Sequence, residues 1–142
     1  MADQPSLTLR RRIDAAPAKV YAAWTQPAHI VKWMHPNGCD VSVVEMDVRV
    51  GGRFWIAMRT PNGEEPQVSG TFREVEPDVK LVYTWAWRET PEQESLVTLT
   101  LQPDGGGTLL TLRHERLFDE AVRDSHHDGW SSALDVLERY VA

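Results

Sequence analysis

Apolar residues along the first third of the chain follow the period of a strand and then that of a helix. Residues 7–13 alternate in character, which predicts a first strand. Pro17 is a residue favoured at a first helical position, and the apolar residues within 20–24 recur at helical spacing after it. Residues 27–33 predict a second short helix, and the Pro-Asn-Gly sequence at 36–38 ends it as a turn.

From Cys39 onward the apolar period returns to two, which predicts six further strands. Their predicted ranges are residues 41–46, 54–58, 68–75, 81–87, 96–101 and 108–115. The turn sequences at 61–63 and 103–107 are typical of hairpins. Because parallel strands need long crossover connections, strands joined by short turns predict an antiparallel sheet.

The last segment of the chain has one apolar helical stripe. Between Trp130 and Val141 the apolar residues fall at i, i+3, i+4, i+7, i+10 and i+11. Asp119, or Asp124 with Ser125, could cap the start of this helix. The pattern predicts an α+β fold in which a curved antiparallel sheet of about seven strands wraps the long C-terminal helix, with two short helices after the first strand.

Length and composition predict a single domain, from residue 6 to residue 142. They also indicate which classes of binding partner are unfavourable. The chain of 142 residues carries a net charge of −6, which disfavours nucleic-acid binding, and the basic run at 10–12 is interpreted as the solvated start of a strand. No apolar run approaches the ~20 residues of a membrane span. The single cysteine, Cys39, and a start that does not resemble a signal peptide predict a cytoplasmic protein.

Short motifs spread over nearly the whole chain resemble one known family. They are Ala16–Val20, Trp24-Thr25, Pro27, Trp33, Pro36, Gly51–Phe54, Gly63, Gly70–Phe72, Leu81–Trp85, Val97–Leu101, Gly107-Thr108, Gly129-Trp130, Leu134 and Leu137. In this order they resemble the activator-of-heat-shock-ATPase homologues (Aha-type C-terminal domains) of the START-like (SRPBCC, Bet v-like) helix-grip superfamily. The chain departs from the family pattern at Met34-His35, near the place where the cavity of the family opens.

This resemblance implies a function as well as a helix-grip fold. Members of the superfamily bind small hydrophobic or amphipathic molecules in a cavity between the sheet and the long helix, and this is the predicted function. The resemblance also implies two alternatives. One is an interaction protein that activates a chaperone ATPase or acts in a stress response, and the other is a cavity enzyme of the cyclase or hydrolase type.

Strand parity and the helical stripe indicate which side chains would line such a cavity. The predicted ligand-binding residues are Trp33, Phe54, Ile56, Met58, Phe72, Tyr83, Trp85, Leu99, Leu112, His114, Trp130 and Leu134. Trp55 has the opposite parity to its apolar neighbours and is expected outside. The pattern of positions does not separate an open cavity from a filled core, and both readings stay open for every residue in this set.

The five histidines do not form a pattern typical of a metal or catalytic site. His114 points inward by parity and is either a polar anchor or general base in the cavity, or a core histidine bonded to a neighbour. His126 and His127 are adjacent, and we expect both on the surface ahead of the last helix. His35 and Cys39 have ligand-like spacing but no further ligand nearby, so no metal site is predicted.

Other chemical motifs are also missing from the sequence. Ser131 and Ser132 lack the glycine pattern of a nucleophile elbow. The glycine groups at 51–52 and 105–107 fall between strands rather than at the start of a helix, where phosphate-binding loops occur. No catalytic residue and no cofactor is therefore predicted.

Overall fold

A computed structural model describes residues 4–35 and 38–142. The chain order of its elements is β1 (Leu7–Ile13), α1 (Pro17–Thr25), α2 (Pro27–Trp33), β2 (Asp40–Met46), β3 (Arg53–Arg59), β4 (Gln67–Glu76), β5 (Lys80–Trp87), a 3-10 turn (Pro91–Gln93), β6 (Ser95–Asp104), β7 (Gly107–Glu115) and α3 (Glu120–Val141). The predicted succession of one strand, two short helices, six strands and a long helix is confirmed. The turn predicted at 36–38 lies partly outside the described residues.

The seven strands form one antiparallel sheet in the order β1-β7-β6-β5-β4-β3-β2. Strands β2 to β7 pair with their chain neighbours through short connections, and β1 joins the far edge beside β7. The sheet curls into a half-barrel, which confirms the predicted helix-grip architecture. Such curling gives the sheet one concave face that an apolar helix can fill.

Helix α3 places its apolar stripe in the core. Its buried residues are Trp130, Ala133, Leu134, Leu137 and Val141. The carboxylate of Asp119 accepts a hydrogen bond from the backbone N–H of Val122 at 2.8 Å, so Asp119 is the N-cap. Within residues 4–35 and 38–142, no helix is both long enough and apolar enough to span a membrane.

The basic run at 10–12 lies within β1, where two of its arginines bind carboxylates. Arg11 has a side chain that is 23% exposed, and it donates to Asp135 at 2.7 Å and to Glu138 at 3.3 Å on α3. Arg12 pairs with the Asp104 carboxylate at 3.4 Å. The sequence predicted that this basic run is solvated. Arg11 instead connects the edge strand β1 to the last helix, α3.

Gly70 allows β4 and β5 to come unusually close together. A Cβ atom at this position would overlap the carbonyl oxygen of Thr84 and lie 2.6 Å from the ring of Phe54. The pairing of β4 with β5 also shifts register between Phe72 and Glu74. The missing side chain leaves room for the Phe54 ring next to Gly70.

Candidate ligand-binding cavity

A cavity of about 180 Å³ lies between the sheet, the end of α2 and the N-terminal half of α3. We call it the outer cavity, and its lining residues are Met34, His35, Met58, Trp85, Trp87, Ser125, His126, Gly129, Trp130 and Ala133. Its deep walls are buried aromatic and methionine side chains, whereas Ser125 at its mouth is exposed. An apolar cavity of ~150 Å³ already accepts a benzene molecule, so this space suits a small organic ligand.

A second and much smaller space lies deeper in the same region. This inner chamber has a volume of about 10 Å³, and its lining residues are Trp24, Met34, Met46, Phe54, Ile56, Phe72, Tyr83 and Trp85. Met34 and Trp85 line both spaces. The inner chamber and the outer cavity are therefore neighbours that share two walls.

His126 forms part of the wall of the outer cavity, and two hydrogen bonds hold its ring in place. The indole Nε1 of Trp87 donates to His126 Nε2 at 2.9 Å, and His126 Nδ1 lies 2.8 Å from the carbonyl oxygen of Val122. The first bond requires an unprotonated Nε2, so Nδ1 carries the hydrogen and donates to Val122. Burial lowers the pKa of His126 despite the opposing effect of that carbonyl, which keeps the ring neutral at pH 7.

His114 is fully buried behind the cavity wall, and both of its ring nitrogens have partners. Trp130 Nε1 donates to Nδ1 at 3.0 Å, and Nε2 lies 2.7 Å from Ser95 Oγ. Ser95 in turn donates to the carbonyl oxygen of Trp85 at 3.1 Å. Burial, and then the neighbouring His126, lower the pKa of His114 from 6.5 to about 3. With no nitrogen left to exchange a proton, His114 is not placed to act as a general base.

Indole groups in this region are hydrogen bonded, with one exception. Trp33 Nε1 donates to the carbonyl oxygen of Ala23 at 2.8 Å, and Trp24 Nε1 donates to Tyr83 Oη at 3.1 Å. Trp85 is 4% exposed, and its Nε1 is buried with no hydrogen-bond partner among the described residues. Buried polar groups in folded proteins nearly always have partners, so this donor marks a place where an acceptor is missing.

Residues 14–142 match the family model described as Activator of Hsp90 ATPase homolog 1-like protein. The chain belongs to this family. The match covers most of the chain and agrees with the curled sheet and C-terminal helix described above. A comparison with curated proteins gives no match.

Solved structures of proteins from several bacteria share this fold over nearly the full length of the chain. The protein CV1439 of Chromobacterium violaceum is 28% identical with a TM-score of 0.88, over 96% of this chain and 97% of the other. An AHSA1 protein of Silicibacter pomeroyi is 28% identical with a TM-score of 0.84, over 96% of each chain. CalU16 of Micromonospora echinospora is 28% identical with a TM-score of 0.72, over 96% of this chain and 76% of the other.

The twelve ligand-binding residues predicted from strand parity and the helical stripe fall into three groups in the structure. Met58, Trp85 and Trp130 line the outer cavity. Phe54, Ile56, Phe72 and Tyr83, again with Trp85, surround the inner chamber. Trp33, Leu99, Leu112, His114 and Leu134 line neither space and are fully buried. Close packing of the last group fills the deep end of the space between sheet and helix, which leaves the open volume near the start of α3.

The parity argument overlooked the mouth of the cavity. The additional lining residues are Met34, His35, Trp87, Ser125, His126, Gly129 and Ala133. The expectation that His126 and His127 precede the last helix is wrong, since α3 begins at Glu120, and His126 is half-buried rather than on the surface. Extending the apolar stripe back from Trp130 by one turn reaches His126, so the helical period could have located it.

The departure from the family pattern at Met34-His35 falls on the cavity itself. Both residues line the outer cavity, and Met34 is 4% exposed. Met side chains are flexible and fill irregular gaps, so this position can adjust the shape of the space. Among residues 4–35 and 38–142, no group of three or more His, Cys, Asp and Glu side chains is placed to hold a metal ion.

Proposed function

We propose that this protein binds a small hydrophobic or amphipathic molecule in the outer cavity. The observation that carries the proposal is a cavity of about 180 Å³ that is lined mostly by apolar side chains and opens to solvent beside Ser125. Apolar surface in contact with water is unfavourable, and a ligand with an apolar body that fills this cavity would remove that surface from water. The cavity is therefore best explained as a binding site.

The distribution of polar groups favours an amphipathic guest. Met58, Trp85 and Trp130 form an apolar interior, whereas the exposed Ser125 supplies a hydroxyl near the mouth. Small-molecule sites commonly combine a predominantly apolar lining with a few polar groups that orient the ligand. The apolar body of the ligand therefore fills the outer cavity, and a polar group on its outward side would lie near Ser125.

Tryptophan fluorescence provides the direct test, because Trp85, Trp87 and Trp130 line the cavity. A panel of small lipids, flavonoids and polyketides is titrated into the protein. At least one compound is expected to change the emission saturably. If the whole panel leaves the emission unchanged, and calorimetry also shows no binding heat, the proposal fails.

A matched pair of variants on α3 locates the binding. Gly129 lines the outer cavity, whereas the Asp128 side chain is 88% exposed. Gly129→Phe places a ring at the cavity and is expected to weaken binding at least ~10-fold, equivalent to ~1.4 kcal/mol. Asp128→Phe adds the same ring to the same turn and should leave the affinity unchanged. Equal affinity in both variants would place the ligand elsewhere.

A second candidate function is activation of a chaperone ATPase, and the family match over residues 14–142 favours it. The measurement is the ATPase rate of the chaperone from the same host with increasing amounts of this protein. A saturable increase supports the candidate, and an unchanged rate at saturating protein rejects it. Either function fits a protein of the cytoplasm, in keeping with the single free cysteine, Cys39.

A further inference from the structure

Two buried hydrogen-bond donors beside the inner chamber, the Trp85 N–H and the Tyr83 O–H, have no acceptor among the described residues. Trp85 Nε1 has no partner among the described residues. Tyr83 Oη accepts from Trp24 Nε1 at 3.1 Å, and none of the hydrogen bonds among the described residues uses its own hydrogen. Tyr83 and Trp85 both line the inner chamber. Burial raises the pKa of Tyr83 above its ordinary value, so its hydroxyl keeps the hydrogen and remains a donor.

The chamber has room for about one atom. Its volume of about 10 Å³ is close to the minimum that a single water oxygen requires. Tyr83 and Trp85 are two apart on one face of β5, and their ring centroids are 6.4 Å apart. Since both side chains line so small a chamber, one oxygen atom inside it would contact both residues.

We propose that the inner chamber is a subsite for a neutral carbonyl oxygen of the ligand, such as that of a ketone, ester or amide. This inference rests on the proposed function, because the apolar body of the same ligand occupies the outer cavity. Met34 and Trp85 form walls of both spaces. A ligand can extend from one space to the other when the flexible Met34 side chain moves aside.

A carbonyl oxygen satisfies this chamber better than water does. Water accepts hydrogen bonds but also brings two hydrogens that need acceptors, and of the described residues that line the chamber, the side chains offer only Tyr83 Oη and two methionine sulfurs. A carbonyl oxygen accepts two hydrogen bonds and donates none. It therefore pairs with the Trp85 N–H and the Tyr83 O–H while leaving no polar atom unpaired.

Because its described lining residues carry no charge, the inner chamber disfavours an ionised group of the ligand. The eight described residues around the inner chamber are aromatic residues, one isoleucine and two methionines, without a Lys, Arg or His among them. A carboxylate there would be buried without a cation, which is strongly unfavourable. An ammonium group needs acceptors for its several N–H bonds, and among these eight side chains only Tyr83 Oη offers an oxygen. The subsite thus selects for uncharged oxygen.

A pair of ligands that differ in the carbonyl group tests this selection. Ethylbenzene and acetophenone are titrated into the full chain, with benzoate as a charged comparison, and each affinity is corrected for partition between water and octanol. Acetophenone is expected to bind roughly 10-fold tighter than ethylbenzene, as one to two added hydrogen bonds imply, and benzoate more weakly than either. The ¹H–¹⁵N resonance of the Trp85 indole, assigned with Trp85→Phe, should move downfield with acetophenone and not with ethylbenzene.

A matched variant pair isolates the hydroxyl. Tyr83→Phe removes one donor, together with the acceptor of Trp24 Nε1, and should reduce the preference for acetophenone to less than about threefold, while ethylbenzene binding is retained. Tyr21→Phe removes a hydroxyl from a residue of α1 that lines neither space and should retain the full preference. If Tyr83→Phe does not fold, the ligand pair and the Trp85 resonance of the unmodified protein decide the question.

The possible failures are distinguishable. Equal corrected affinities with an unmoved Trp85 resonance overturn the carbonyl subsite, yet leave ligand binding in the outer cavity standing. Acetophenone that binds tightly in both the unmodified protein and Tyr83→Phe, without moving the Trp85 resonance, also overturns the subsite. If no member of the ligand set binds and the broader panel is equally inert, the subsite and the proposed function fail together.

Discussion

The indole Nε1 of Trp130 on α3 donates a hydrogen bond to Nδ1 of His114 on β7, at 3.0 Å and away from solvent. This bond joins the helix to the sheet directly behind the wall of the outer cavity. His114 Nε2 continues the connection to Ser95 on β6. Because Trp130 can only donate, the bond requires an unprotonated Nδ1 and therefore a neutral ring.

The neutral state of His114 makes stability depend on pH. Burial and His126 lower its pKa from 6.5 in the unfolded chain to about 3 in the folded protein. Between these values the unfolded state binds more protons, so this contribution to stability is complete above pH 6.5 and is lost as the pH falls towards 3. The free energy of unfolding, measured by urea titration, should change by up to about 1.4 kcal/mol per pH unit in that interval because of this group.

Two variants separate this effect from the titration of other groups. His114→Gln has no titratable ring but retains an amide that can accept from Trp130, and its stability should depend less steeply on pH than that of the unmodified protein. His127→Gln changes an exposed residue of α3 and should keep the original slope. Identical slopes in all three proteins would contradict the assignment to His114.

The bond from Trp87 Nε1 to His126 Nε2 predicts a pH-sensitive cavity mouth. Burial lowers the pKa of His126, so protonation occurs below pH 6.5 and removes the acceptor. The ¹H–¹⁵N resonance of the Trp87 indole should move as the pH is lowered through that range, and the movement should disappear in His126→Gln. Trp55 Nε1 donates to the Gln67 amide at 2.9 Å and serves as an internal reference that stays in place. A Trp87 resonance that remains fixed until the protein unfolds would refute this prediction.

The ion pair between Arg11 and Asp135 should stabilise the contact between β1 and α3. A double-mutant cycle with Arg11→Met and Asp135→Asn is expected to give a coupling free energy of about 0.5–1 kcal/mol, reduced in 1 M salt. The side chain of Arg11 is 23% exposed, whereas Arg59 and Glu65 in the control pair are 59% and 49% exposed. Arg59→Met with Glu65→Gln should give a smaller coupling. Strict additivity at Arg11 and Asp135 would show that this ion pair adds no stability.

The close approach of β4 and β5 predicts a strong effect of a single methyl group. Gly70→Ala places a Cβ against the Thr84 carbonyl and the Phe54 ring, and should lower the free energy of unfolding by about 1–3 kcal/mol or more. Ser69→Ala changes the neighbouring, partly exposed residue and should remain within about 0.5 kcal/mol. Chemical denaturation of both variants provides the comparison, and equal stability would mean that the strands can separate without loss.

Periodicity was sufficient to predict the strands, the helices and their architecture. Residues 7–13 alternate because one face of β1 meets the core, and the stripe from Trp130 to Val141 recurs because one side of α3 is buried. Each of these patterns depends on neighbours in the chain. Turn residues then limited the strand connections to hairpins, which is why an antiparallel sheet followed from the sequence.

Contacts between segments that are far apart in the sequence decide which of the inward-facing residues border a cavity. Leu99 and Leu112 share the inward parity of Met58, yet the first two fill the core and Met58 borders the outer cavity. Parity records the face of a strand, whereas a void depends on how sheet curvature, α3 and the end of α2 meet in three dimensions. His126 and Ser125 joined the site because α3 starts earlier than its apolar stripe.

By itself, the sequence determined the fold class, the order of elements and the side of each element that is buried, since these follow from local spacing and turn chemistry. The tertiary structure alone decided the location of the cavity, the neutral state of His114 and the lack of a partner for the Trp85 N–H within residues 4–35 and 38–142. Each of these depends on which groups from separate strands and helices come within hydrogen-bond or van der Waals distance. Such distances are set by packing of the whole chain and have no signature in the spacing of residues along it.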